Sequence, residues 1–257
     1  MRILITNDDG ITAPGLAVAE AIGAELAGPE GEVWVVAPES ERSGVGHAIS
    51  YTTPLRITEM GPRRFAVDGY PADCAIAGLN GVMAETPPDL ILSGVNRGHN
   101  VAEDVVYSGT VGGAMEGALA GIRAIALSQF YTRGPEGPED MWEASRRLGV
   151  EAVHRVLAMP CPKGAFYNVN FPAVAADAVQ GMQVCRQGIR ADGTFELVPH
   201  TAPNGREFYF YRHRTSNASA PEGSDARRLI EGWVTITPLG IDLTADALMG
   251  EARAALG

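Results

Sequence analysis

Four short, near-continuous apolar runs punctuate the first half of the chain: Arg2 to Thr6 (RILIT), Val33 to Ala37 (VWVVA), Asp89 to Ser93 (DLILS) and Arg123 to Ser128 (RAIALS). Apolar runs of this length, without polar alternation, are the pattern of parallel strands buried on both faces. Helical stretches lie between them. Pro14 to Leu26 and Pro71 to Met83 each open with proline in the first turn, and Thr110 to Ala120 is rich in alanine and glycine. Strands alternating with helices predict right-handed βαβ crossovers and an α/β fold built on a doubly wound, mostly parallel sheet.

The second half has a different texture. Glu139 to Leu157 reads as a long amphipathic helix carrying Trp142, Leu148, Val153 and Val156 on one face, and Pro160 and Pro162 end it. Tyr167 to Phe171 (YNVNF) reads as a strand. Asn204-Gly205 is a hairpin turn signal between the strand-like pieces Phe195 to Val198 and Glu207 to Tyr211. A two-stranded ribbon is marginal alone, so a projecting arm that meets another subunit is expected. Gly232 to Pro238 (GWVTITP) is the last strand candidate and is expected to return to the core. The predicted organisation is one domain: a core over residues 1–175, a C-terminal β-hairpin arm within 176–231, then a return strand and tail over 232–257.

A length of 257 residues agrees with one α/β domain, and 46% hydrophobic with 20% charged residues is an ordinary globular composition. Charge narrows the partners. With 31 acidic against 20 basic residues the net charge is −11, and a binder that tracks nucleic-acid phosphates needs a basic face, so no nucleic-acid partner is expected. An anionic small substrate then needs local help from a metal or from backbone amides. No window of ~18 apolar residues predicts a membrane span. MRILITNDDG lacks the features of a secretory signal. Cys74, Cys161 and Cys185 form neither a disulfide framework nor a CxxC pair. A reducing cytoplasm is the expected location, which makes the sequon at Asn217 incidental.

In an open parallel sheet, ligands bind outside the carboxyl ends of the strands. Asn7-Asp8-Asp9-Gly10 follows the first apolar run, Pro38 to Gly44 (PESERSG) the second, and Gly94 to Asn100 (GVNRGHN) the third. These loops would bring two adjacent carboxylates, hydroxyls and an asparagine carbonyl to one edge, a hard oxygen donor set suited to Mg²⁺ or Mn²⁺. Turn or capping chemistry is the alternative for Asp8 and Asp9, but two charges at the end of a buried strand are costly unless paired or metal-bound. Spacing does not choose between Ser40 and Ser43, and Asn96 could simply order its own glycine-flanked turn. Arg42 and Arg97 lie beside candidate ligands, where a guanidinium meets phosphate, and His47 and His99 share these loops. Tyr107-Ser108-Gly109-Thr110 opens a helix, placing hydroxyls and free N–H groups at its positive end, a ready anion site. Gly109, Gly113, Gly117 and Gly121 recur every four residues, which reads as a packing stripe. No GxGxxG and no GxxxxGK[ST] occurs, so dinucleotide and P-loop readings lose their support.

Taken in order, NDDG with APG (Asn7 to Gly10, Ala13 to Gly15), VVAP with RSG (Val35 to Pro38, Arg42 to Gly44), PADC (Pro71 to Cys74), SGVNRGHN (Ser93 to Asn100), YSGTVGGAMEG (Tyr107 to Gly117), NVNFP (Asn168 to Pro172) and TPLGIDLT (Thr237 to Thr244) resemble the SurE family of survival-protein 5'-nucleotidases. The resemblance spans nearly the whole chain. It implies a Rossmann-like domain with an exchanged C-terminal arm that builds homodimers or homotetramers. It also implies a phosphatase, dependent on one divalent metal ion per subunit, that acts on nucleoside 5'-monophosphates and in some members on 3'-monophosphates or short polyphosphate. Matched motif to motif, the metal ligands fall on Asp8, Asp9, Ser43 and Asn96. The phosphate cradle falls on Ser108, Gly109 and Thr110, with Arg42, Gly44 and Arg97 beside it. Where many members carry His, Gln or Arg in the last motif, this chain has Gly240.

The expected mechanism is direct hydrolysis by metal-activated water. Asp8 orients that water, and Asn96 and Ser108 to Thr110 hold phosphoryl oxygens. An aspartyl-phosphate route usually uses an Asp-x-Asp pattern, which is missing at the first strand. A nucleotide-sensing binding protein with a structural metal is the rival from outside enzymology, and a nicotinamide oxidoreductase lacks its glycine fingerprint.

Overall fold

The computed structural model describes residues 1–132, 138–191, 195–213 and 217–256. In chain order the strands are β1 (Arg2–Thr6), β2 (Glu32–Pro38), β3 (Ile57–Gly61), β4 (Arg64–Val67), β5 (Leu90–Arg97), β6 (Arg123–Gln129), β7 (Ala165–Phe171), β8 (Gly181–Val184), β9 (Phe195–Thr201), β10 (Glu207–His213) and β11 (Trp233–Gly240). The α-helices are α1 (Pro14–Ala27), α2 (Pro71–Ala77), α3 (Gly109–Ala120), α4 (Glu143–Leu157), α5 (Asp225–Ile230) and α6 (Asp246–Ala255).

Nine strands form one sheet in the order β3-β4-β2-β1-β5-β6-β7-β11-β8. The stretch from β4 to β7 is parallel throughout. β3 adds an antiparallel edge at one end, and β11 pairs antiparallel with β7 at the other. Side chains alternate between two cores. Ile3 and Ile5 of β1 join Leu16 and Ile22 of α1 and Val153 and Val156 of α4 on one face. Leu4 joins Cys74 of α2 and Val111, Ala114 and Ala118 of α3 on the other. Helices on both faces explain why the parallel strands lack polar alternation. β1 lies between β2 and β5, so the order of progression reverses there, and the crevice beyond the ends of β1 and β5 is the topological switch point where such sheets bind ligands.

The apolar runs locate the parallel strands, with β5 extending four residues past its predicted end to Arg97. The antiparallel pair β3–β4 and the helices α5 and α6 have no counterpart in the expected elements. β3 is half exposed and α6 buries no residue, so neither carries a core-facing pattern strong enough to read. The predicted helix Pro71 to Met83 is α-helical only to Ala77 and continues as a π-turn over Gly78–Val82. Gly78 lies against Leu4, whose Cδ2 would be 2.7 Å from a Cβ there. Of the glycine stripe, Gly109, Gly113 and Gly117 pack closely, whereas Gly121 closes α3 in the left-handed region with φ +75°.

The two-stranded sheet β9–β10 stands apart from the nine-stranded one, with Glu207 opposite Thr201 across the turn. Phe208, Tyr209, Phe210 and Tyr211 of β10 are all exposed. Within 176–231, β8 instead joins the main sheet beside β11, and Ala226 and Leu229 of α5 are buried.

α1 crosses the sheet at Gly15, where a Cβ would lie 2.0 Å from the Val95 carbonyl and 2.7 Å from Trp142. Backbone cannot yield as a side chain does, so Gly15→Ala is expected to lower stability by about 1–3 kcal/mol. Gly250→Ala, with nothing within 4 Å of the new methyl and a place inside α6, should be neutral to stabilising, by up to about 1 kcal/mol. Urea midpoints at constant m-value check both.

Candidate active site at the switch point

Asp8 ends the first buried strand and is itself buried, 4% exposed. Its carboxylate faces the N-terminus of α3. Thr110 Oγ1 donates to Asp8 Oδ1 at 2.8 Å, and the Thr110 amide donates to Oδ2 at 3.3 Å. Ser108 is the N-cap, its Oγ accepting from the Val111 amide at 3.1 Å. Gly109 must be small here, because a Cβ would meet Asp8 Cβ at 3.0 Å and Pro71 Cγ at 2.9 Å. The helix start therefore holds a protein carboxylate, and the hydroxyl and amide of Thr110 are both turned toward Asp8. Burial, reinforced by the neighbouring Asp9 charge, pushes the Asp8 carboxyl up to about 7, while the Thr110 hydrogen bonds pull the other way.

The turn itself is made by Asn7. Its Nδ2 donates to the Gly10 carbonyl at 2.9 Å and its Oδ1 accepts from the Gly10 amide at 3.2 Å, so turn chemistry does not consume the two aspartates. Asp9 Oδ2 accepts from the Arg97 amide at 2.9 Å, joining the ends of β1 and β5. Burial raises the Asp9 carboxyl too, and the Arg97 amide and guanidinium oppose the rise. Asn96 donates from Nδ2 to the Gly98 carbonyl at 3.0 Å. The loop after β2 is tied in by the Arg42 amide, which donates to the Asp8 carbonyl at 2.7 Å.

Asp8, Ser43, Gly44, Asn96, Arg97 and Ser108 line one cavity of about 1300 Å³. Ser43 Oγ donates to Glu41 at 2.9 Å. Asp9, Arg42, Gly109 and Thr110 stand outside this lining. The Arg42 guanidinium lies 3.4 Å from Asp68 and 5.8 Å from the Tyr70 ring centroid, and that of Arg97 is 3.9 Å from Glu41. His47 pairs with Glu116 at 2.5 Å away from the cavity, whereas His99 is on its wall.

Several residues that shape the site have no role assigned from sequence. Asn168 and Asn170 of β7 both donate to the Asn100 carbonyl, at 2.6 and 3.1 Å, and the Asn100 amide donates to Asn170 Oδ1 at 2.8 Å. This buried set fixes the loop that follows β5, next to the strand end that carries Asn96. Its signal is present in YNVNF, where two asparagines two apart share one face of an otherwise apolar strand. Tyr107, Phe130, Phe195 and Tyr211 add an aromatic wall, with Phe195 edge-on to both Tyr107 and Tyr211 at 5.1 and 5.7 Å. The arm therefore contributes to the cavity.

The donor set fits a hard divalent cation. Two adjacent carboxylates raise one another's cost of ionisation, and a cation between them removes that cost. Among the described residues no group of three or more His, Cys, Asp and Glu side chains gathers that could hold a metal ion by itself. A cation here would complete its shell from neutral oxygens such as Ser43 and Asn96 and from water.

Fold and site together define a doubly wound α/β protein with an acidic, oxygen-lined centre at the sheet's switch point. The family model described as "Survival protein SurE" matches residues 3–194, and the chain belongs to the SurE family. It is 53% identical over 253 residues to the 5'-nucleotidase SurE of Roseobacter denitrificans, covering 97% of each chain, and 52% identical over 260 residues to that of Ruegeria pomeroyi, covering all of both. Among solved structures, the SurE protein from Aquifex aeolicus superposes with a TM-score of 0.82 at 37% identity over the whole of both chains.

A buried carboxyl raised from 3.8 to about 7 binds its proton more tightly in the folded protein than in the unfolded chain. Its stabilising contribution is complete below about pH 4 and disappears as pH rises through 7. In chelator-treated protein at pH 8, Asp8→Asn should therefore raise stability, by on the order of 2–4 kcal/mol, with the gain shrinking toward pH 4. Denaturant unfolding across this range measures it.

Proposed function

We propose that the protein hydrolyses nucleoside 5'-monophosphates to nucleoside and phosphate, as a phosphomonoesterase that requires one divalent metal ion per subunit. The observation that carries the reading is the buried Asp8 carboxylate beside Asp9, opening with Asn96 and Ser108 into a cavity of about 1300 Å³. That volume accommodates a nucleotide. The names of the close relatives, 5'-nucleotidase SurE, support the substrate class.

Asp8, Asp9, Ser43 and Asn96 would hold the cation, Mg²⁺ or Mn²⁺ by the hardness of their oxygens. When bound, it supplies Lewis-acid polarisation of a phosphoryl oxygen and acidifies a water. The chain's own groups do the rest. Asp8, kept in one rotamer by Thr110, orients the attacking water. Asn96 and Ser108 present donors to the equatorial oxygens, whose charge is redistributed in the transition state. Arg97 and Arg42 add positive charge at the rim, and Gly44 leaves room for the phosphate to approach. 3'-Monophosphates fit the same geometry, and the open cleft admits short polyphosphate.

The exposed aromatic face of β10 supports self-association into a homodimer or homotetramer through the arm. Three free cysteines suit a reducing cytoplasm, and no helix among the described residues is long and apolar enough to cross a membrane.

Phosphate release from AMP tests the reading. Activity with added Mn²⁺ or Mg²⁺ should vanish in EDTA and return on re-addition of metal, and Asp8→Asn should lower kcat at least ~10³-fold without loss of fold. Turnover that persists in EDTA would reject metal dependence, and metal binding without phosphate release would favour a sensor. Thr110→Val, which removes one hydrogen bond to Asp8, should lower kcat by about tenfold with KM little changed.

A further inference from the structure

Between the end of β5 and the N-cap of α3 the chain makes a single 3₁₀ turn, Ala102–Val106, that the reaction as drawn does not use. Its first residue, Ala102, has φ +51°, in the left-handed region where a Cβ is strained. The other described non-glycine residue with positive φ, Arg63, lies in the exposed turn between β3 and β4, whereas Ala102 is fully buried. Both polar backbone groups of Ala102 are bonded by side chains from far along the chain. Its amide donates to Asp225 Oδ2 at 3.0 Å, and its carbonyl accepts from Gln187 Nε2 at 2.8 Å. Asp225 is itself fully buried, and its Oδ1 accepts from the Gly188 and Ala226 amides at 2.8 and 2.7 Å. Val101 and Ala102 also pack with Ala220, Ala226 and Leu229 in a small core separate from the two that flank the sheet.

The segment that enters the arm, 186–190, and the one that leaves it, 217–225, therefore both grip this turn. The turn runs without a break into the start of α3. The Tyr107 amide donates to the Asp104 carbonyl at 3.0 Å, and the Ser108 amide donates to the Val105 carbonyl at 3.4 Å. Upstream, the chain is tied to β7 at Asn100. A left-handed alanine persists only where its surroundings over-determine it. Asp225 and Gln187 do so here, and neither lines the cavity. Without them Ala102 would return to negative φ, the turn would reorient, and Ser108 would move with it. A buried network that served stability alone would need no left-handed alanine at its centre.

We propose that Asp225 and Gln187 are positioning residues of this phosphomonoesterase: they hold Ala102 at positive φ, and that shape of the turn sets where Ser108 and the start of α3 meet the phosphoryl group. The inference rests on the hydrolytic reading above. It also ties the feet of the arm to the site, since both residues belong to the segments that flank it.

Glycine provides the test, because it adopts positive φ without the cost that a Cβ brings. Asp225→Ala and Gln187→Ala, each with and without Ala102→Gly, are compared well below their melting temperatures, with the folded fraction set by circular dichroism. Under saturating Mn²⁺ we expect kcat/KM for AMP to fall ~10–30-fold in Asp225→Ala and ~3–10-fold in Gln187→Ala. The loss should be the same to within about twofold on 4-nitrophenyl phosphate, since the phosphoryl group is what the two substrates share. Adding Ala102→Gly should recover at least ~threefold in each background. Hydrogen exchange over residues 101–112 should rise in the single variants and fall again in the doubles. A purely structural role predicts lower melting temperatures with unchanged kcat/KM per folded molecule. That outcome, or no recovery by glycine, would overturn the proposal. Should Asp225→Ala fail to fold, Gln187→Ala, which leaves the buried carboxylate in place, decides by the same criteria. Wild-type protein that releases no phosphate from AMP would instead refute the hydrolytic reading itself, while the exchange data judge the bracing of the turn without turnover.

Discussion

A carboxylate at the end of a buried strand is the constraint around which this site is arranged. Asp8 has lost nearly all contact with solvent and has another acid as its neighbour in sequence. Such a group stays ionised only if hydrogen bonds or a cation offset the loss of hydration. The protein's own response is partial: the hydroxyl and amide of Thr110 at the positive end of α3 meet the carboxylate, yet the carboxyl still rests near 7. Much else follows. Gly109 has no side chain because Asp8 and Pro71 occupy its space, and Ser108 caps the helix from the cavity side. The shortfall that the fold leaves is the affinity a divalent cation would exploit.

The same economy applies to the wider field. A net charge of −11 opposes the approach of a phosphate ester, and the two arginines nearest the acidic pair are already occupied, Arg42 by Asp68 and Arg97 by Glu41. Positive potential inside the cleft would therefore rest chiefly on the start of α3 and on a cation, once bound, rather than on free guanidiniums. Rigid support comes from β7, whose two asparagines clamp the backbone at Asn100 and so hold the loop after β5 in place beside Asn96. Polar side chains inside a sheet are tolerated here because they bond one another and the loop.

Much of this was legible in the chain. Unbroken apolar runs marked the central parallel strands, because a strand covered on both faces has no polar side to show. The rule that ligands gather at carboxyl ends then brought the loops after β1, β2 and β5 together. What stayed hidden was of two kinds. Half-exposed or solvated pieces, β3 and α6 among them, lack a burial pattern to read. Contacts between residues far apart in the chain, such as Arg190 with Asp104, depend on how α5 and the segment after β8 fold back over the turn at 102–106, which no local spacing reveals. Thr110 was legible as part of an anion site, while the fact that the nearest anion is Asp8 of the same chain required the packing of α3 on the sheet.

The central claim is that buried Asp8, with its half-buried neighbour Asp9, would create the binding energy for one divalent cation. Isothermal titration of chelator-stripped protein with Mn²⁺ at pH 7.5 addresses it most directly. The account predicts one site per subunit, abolished in Asp8→Asn and weakened at least ~10²-fold in Asp9→Asn, with both variants folded. Unchanged stoichiometry and affinity in Asp8→Asn would contradict it.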